Sequence, residues 1–228
     1  MDSNRKTAII VGILLITAIV SSMLSGVFSG SIDDPDYLTS VYANENKVLI
    51  GVLFQLTLTA SVVAIPIMMF PILKNQYERL ALGYFGARIF EGFFDVVIAI
   101  SMLLLLTLSR EYVEGGAPVS SYFQTAGALL LGLRDWAGIP EQFPYGMGVL
   151  ILNYALYQSK LIPQWLSGWG LVGGVLIIAM GFLRMFGYPV FYLAIPIILN
   201  EMVLAVWLIV KGFNSSATAS ESVKTAMK

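Results

Sequence analysis

Arg88, Glu91 and Asp95 stand three and four residues apart within an otherwise apolar run. A helix there carries all three on one face about 60° wide, bordered by Tyr84 and Gly92. An ionisable group near the centre of a bilayer costs roughly 2.5–3.5 kcal/mol on insertion scales, so three on one stripe must face protein or water rather than lipid. Glu201 is the expected cross-helix partner. Counting about 1.5 Å per residue from the ends of the two apolar runs brings it level with Arg88 and Glu91. Asn200 is its neighbour, and Pro196 frees the carbonyl of Tyr192 one turn earlier. By the same count Asp95 lies close to Thr59, with Gln55 one turn farther out. One arginine among three carboxylates leaves a net negative cluster, which should take up a proton or bind a cation. The competing reading is a buried pair that only fixes helix register, with desolvation cancelling much of its attraction.

A second polar group collects Arg134, Asp135 and Trp136 with Glu141 and Arg184. Helix-end ion pairing beside an interfacial aromatic accounts for it more readily than a binding site does. Gly170, Gly174 and Gly181 recur four and seven residues apart, which lets another helix approach closely. That helix belongs to the same bundle, to a second copy of the chain or to another membrane protein. Met68 and Met69 are read as lipid-facing or as core filler.

The chain of 228 residues has no cysteine and no histidine. Disulfides, thiol catalysis, Cys/His zinc sites, His-ligated haem and a Ser-His-Asp triad are therefore excluded, and no metal or cofactor site is expected. Any reactive group must be a carboxylate, Lys, Arg, Tyr or a hydroxyl. The net charge of −1, with no basic run, argues against nucleic acid as a partner.

The elements that must position these residues are membrane spans. Hydrophobic residues make up 57% of the chain and charged ones 12%, about half the charged share of a soluble domain. The apolar residues come in blocks, several long enough for the roughly 20 residues a spanning helix needs. The expected fold is an all-α polytopic membrane bundle with about six spans, near 7–28, 48–73, 80–108, 140–158, 165–186 and 189–210. The first block could serve as a secretory signal, but it is nearer a full span than a signal core, so we read it as span one. Span two contains Pro66 and Pro71, which should bend its second half. Short interfacial helices are expected near 35–43, with Asp34 as cap and Pro35 as first residue, and near 119–136, interfacial or re-entrant. Residues 1–213 form one transmembrane domain, and the Ser/Thr/Ala-rich segment 214–228 is expected to be a disordered tail.

Placing the N-terminus in the cytoplasm puts Arg5, Lys6, Lys74, Arg79, Lys160, Lys211, Lys224 and Lys228 inside, against Lys47, Arg110, Arg134 and Arg184 outside. This bias favours an inner-membrane protein with both termini cytoplasmic. Trp165, Trp169 and Trp207 then lie toward the inner interface and Trp136 toward the outer one.

The stretches DDPDYL, LALGYFGARIFEG, LTLSREYVEGGAP with SYFQTAGALLLGLRDWAG, SKLIPQWLSGWGLVG and NEMVLAVWLIVKGFN resemble the bacterial and archaeal membrane family catalogued as domain of unknown function 4386. The resemblance covers nearly the whole chain and implies a multi-pass inner-membrane protein. It attaches no activity, substrate or catalytic role to Arg88, Glu91, Asp95, Arg134, Asp135 or Glu201, so their roles rest on the residues themselves.

Three functions fit this pattern. The leading one is a non-catalytic transporter-like or sensor-like module whose buried cluster binds a proton, cation or small polar ligand, although no inverted repeat is evident. The second is an intramembrane enzyme on a lipid or isoprenoid substrate. Such enzymes usually carry paired acidic motifs, and Glu91 with Asp95 is one residue out of a DxxD spacing. The third is an accessory subunit of a larger membrane complex.

Overall fold

The computed structural model describes residues 3–117 and 121–214, and these contain helices and turns but no strand. The expected tail and the proposed start of the second interfacial helix at Val119 lie outside the described residues. Helix α1 (Ser3–Phe28) leads through a 3-10 turn (Gly30–Asp33) to α2 (Tyr37–Ala43) and the long α3 (Glu45–Glu114). α4 (Ser121–Ala137), α5 (Gln142–Ser159) and α6 (Gln164–Met185) follow, and a 3-10 turn (Phe191–Ala194) opens into α7 (Ile195–Val210).

Five segments are long and apolar enough to cross a bilayer: α1, Glu45–Lys74, Tyr77–Glu114, α6 and Phe191–Val210. The second and third are two arms of α3, here α3a (Glu45–Lys74) and α3b (Tyr77–Glu114). They are separated at Tyr77, whose φ of −140° and ψ of 59° leave the helical region. The break is therefore past both prolines, and the backbone keeps helical dihedrals through Pro66 and Pro71. The arms fold back antiparallel, so that Arg110 pairs with Glu45 and Gln55 bonds Asp95. α5, expected as the fourth of six spans, has 18 residues, about 27 Å of helix. Half of these are buried, including Gln142, Pro144, Asn153 and three packing positions at Val149, Leu152 and Leu156. A helix packed between α3 and α6 presents less surface to lipid, so polar residues such as Gln142 and Asn153 are accommodated on its buried side.

The start of α1 and the end of α7 define one face of the bundle. The Arg5 guanidinium donates to the carbonyls of Leu208, Ile209 and Val210 at 3.0, 2.6 and 3.2 Å, capping the C-terminus of α7 with a positive charge. Asn214 N–H donates to Leu161 O on the same face. Arg5→Ala should lower stability by about 1–2 kcal/mol through loss of these charged bonds, measured as a fall in the unfolding midpoint in detergent. A change below about 0.3 kcal/mol would mean that water caps α7 equally well.

The opposite, distal face carries α2 and α4. Asp34 is held extended (ψ 147°) ahead of Pro35, as the proline ring requires, so the helix starts two residues later than expected, with Asp36 as N-cap. α2 buries Leu38 and Val41, and the Ser109 hydroxyl donates to Leu38 O. α4 packs against α3, with Leu130 and Leu131 against the core and Leu129 and Trp136 outward, as an amphipathic helix does. Gly127 gives Tyr37 room, since a Cβ there would meet the phenol ring.

Gly170, Gly174 and Gly181 of α6 meet neighbours within the chain. A Cβ at Gly170 would collide with the Asn153 amide, at Gly174 with Leu150, and at Gly181 with Gln142. That face is filled by α5. Met69 is buried in the core, and Met68 is partly buried against it.

Candidate functional site: a charged cavity inside the bundle

Three apolar clusters hold the bundle together. One surrounds Leu73, Leu156 and Leu166 toward the terminal face, another gathers Val52, Met102 and Leu105 distally, and a third packs Val149, Ile177 and Ile197 between α5, α6 and α7. Among them lies a cavity of about 380 Å³, within the range of small-molecule sites. Its polar lining is Ser22 from α1, Arg88, Glu91 and Asp95 from α3b, Glu141 just ahead of α5, Gln142 and Tyr145 from its first turn, Arg184 from the end of α6, and Glu201 from α7.

The stripe on α3b is buried as its spacing implied, with Arg88, Glu91 and Asp95 exposed by only 4%, 4% and 2%. Arg88 Nη1 lies 3.0 Å from Glu91 Oε2, an attraction of charges whose geometry does not make a directed hydrogen bond. The guanidinium also sits 5.6 Å from the centroid of Tyr145, close enough for a cation–π contact. Gly148 makes this possible, because a Cβ there would press on Arg88 Cδ at 3.1 Å. Glu201 shares the cavity, but the ion pair of Arg88 is with Glu91 on its own helix. Depth along a helix axis predicted the shared level, while the closest partner follows from the three-residue spacing.

Asp95 is tied by a relay running across three helices. Gln55 Nε2 donates to Asp95 Oδ1 at 3.0 Å, and the Ser25 hydroxyl donates to Gln55 Oε1 at 3.3 Å. Thr59, expected next to Asp95, instead donates to Gln55 O within its own helix. The antiparallel fold of α3 places Gln55 opposite Asp95, which corrects the depth count by one turn.

Asn200 lies outside the main cavity. Its Nδ2 donates to Leu166 O at 2.9 Å and ties α7 to α6. Together with Tyr84, Arg88, Asn153 and Glu201 it lines a second void of about 10 Å³, the size of one water. Arg88 Nε, Asn153 Oδ1 and Asn200 Oδ1 have no protein partner. One donor and two acceptors are the set that a bridging water satisfies.

The second polar group divides. Arg134 pairs with Asp33 of the 3-10 turn and with Asp135, fastening α4 to the end of α1. Burial works against its charge, but the two carboxylates prevail and raise its pKa above the ordinary arginine value. Glu141 and Arg184 instead line the cavity of Arg88. Arg184 is held by Gly138 O at 3.2 Å and stacks on Phe191 at 4.4 Å. Sequence reasoning missed Tyr145, Gln142 and Ser22 among the lining residues. The i, i+4 spacing of Glu141 and Tyr145 was the one available signal, and it does not say what that face meets.

The site thus sets four carboxylates against two guanidiniums. The carboxylates ring the space without converging, and no group of three or more acidic side chains among the described residues could hold a metal ion. These features define a polytopic α-helical membrane protein built around a charged, water-sized-to-ligand-sized interior. The chain belongs to the family described as domain of unknown function (DUF4386), whose model matches residues 10–212, a range that contains every residue of the cavity. No curated protein and no solved structure matches it.

Proposed function

We propose that the protein is a transporter-like or sensor-like membrane module in which Arg88, Glu91, Asp95 and Glu201, joined by Glu141 and Arg184, bind a proton, a cation or a small polar ligand. The observation that carries this reading is the excess of two negative charges around one cavity. In a low-dielectric interior such an excess is relieved by a proton or by a bound cation. Asp95 and Glu201 are the exchanging groups, while Arg88 stays paired with Glu91 and keeps part of the charge in place. α5 serves as the sixth span, which sets α1 and α7 side by side with both termini in the cytoplasm and the distal face outward.

The test is uptake of protons or monovalent cations by the purified protein in detergent, for wild type and an Asp95→Asn, Glu201→Gln double variant. Saturable uptake that disappears in a folded double variant is the expected result. Absence of uptake in both, with unchanged circular dichroism, would overturn the reading and leave the cluster as a packing device.

A further inference from the structure

The cavity is open toward the lipid. α1 and α7 are in close contact near the terminal face, where a Cβ at Gly12 would stand 2.7 Å from Ala205 O. Farther along, Ile19 and Met23 of α1, Ala194 at the end of the 3-10 turn and Ile198 of α7 line the cavity instead. Met23, Ile198 and Phe191 are 65%, 40% and 60% exposed, so the cavity reaches the perimeter of the bundle between these helices. Met23 is five residues from the end of α1, roughly 8 Å of helix, which places the opening at the depth of acyl chains rather than in water. Much of the remaining wall is apolar, including Leu58, Val62, Ile177 and Met180.

We infer that this cavity takes, from the surrounding bilayer, an amphiphile with a cationic ammonium head and an apolar tail, its head among the carboxylates and its tail in the gap between α1 and α7. The inference rests on reading the cavity as a ligand site. The sign of the head follows from four carboxylates facing two guanidiniums that are already engaged, Arg88 by Glu91 and Arg184 by Gly138 O and Phe191. Glu91 is only 4% exposed, and its Oε2, 3.0 Å from Arg88 Nη1, receives no directed hydrogen bond, which leaves that carboxylate able to accept from an N–H group beside the ion pair. The spread of the carboxylates suits an organic cation with several donors better than a bare metal ion. The tail follows from the wall and the opening.

The experiment uses the full chain in phosphatidylcholine nanodiscs, with empty discs as background, and labelled dodecylammonium as probe. Methylammonium supplies the head without the tail, and dodecyl sulfate supplies the tail with the opposite charge. Saturable dodecylammonium binding, at least about tenfold tighter than that of either comparison compound, is expected because tail and head each contribute. A Met23→Trp, Ile198→Trp pair, filling the opening, should weaken or slow it about tenfold, while Asp95→Asn with Glu201→Gln should abolish it, both variants keeping their unfolding midpoints. Methylammonium binding as tightly, indifferent to the tryptophans, would overturn lateral entry and leave the proposed function standing. Tighter binding of dodecyl sulfate would overturn the cationic head. No binding of any of the three, together with no proton or cation uptake, would overturn both.

Discussion

Arg88→Met is expected to destabilise the protein by about 3–5 kcal/mol. The cost is not the lost attraction alone. Arg88 and Glu91 are both 4% exposed and Asp95 is 2% exposed, so removing the guanidinium leaves Glu91 in a low-dielectric interior without its paired cation and Asp95 with one positive charge fewer in the cavity. They must then be solvated by water drawn into the bundle or take up protons, and either costs folding free energy. The double variant Arg88→Met, Glu91→Leu removes both members of the pair and should return to within about 1 kcal/mol of wild type, since a buried ion pair is often no better than apolar groups of similar size. Reversible unfolding in mixed micelles measures both. A double variant as unstable as the single one would show that Arg88 acts chiefly through Tyr145 and Gly148, not through the charge of Glu91. Arg88→Lys tests the same point differently, because it keeps the charge and loses the planar contact with Tyr145.

Gly12→Val should cost about 3 kcal/mol, the upper end for forced overpacking. Its first new carbon would stand 2.7 Å from Ala205 O, a backbone atom of α7 that cannot turn aside, and equally close to Ile209 Cγ1. The two helices would have to separate where Arg5 also joins them, and the separation would reach the cavity they border. Gly26→Ala on the same helix is the control, because a Cβ there meets nothing within 4 Å. It should leave the unfolding midpoint unchanged or slightly raised. Equal losses at both positions would mean that helix propensity in α1, and not contact with α7, decides stability.

Membrane class and helical fold were legible in the sequence because apolar length and composition act locally along the chain. The spacing of Arg88, Glu91 and Asp95 was equally legible, since a 3.6-residue period determines a shared face without reference to any other helix. The level of Glu201 was legible too, from a rise of 1.5 Å per residue. Direction around the helix axis was not. Nothing local tells which way α5 and α6 turn their ends, so Glu141 and Arg184 were grouped with Arg134 at the same end of the bundle, although only those two line the cavity. The same limit exchanged Thr59 for Gln55 beside Asp95, because the turn at Tyr77 sets the register between the arms of α3. The glycines of α6 announced a close helix neighbour, and only packing showed it to be α5. The sequence by itself therefore determined which side chains share a face and at what depth. The tertiary structure alone decided which faces meet, because that choice depends on side-chain volumes and contacts contributed by several helices at once.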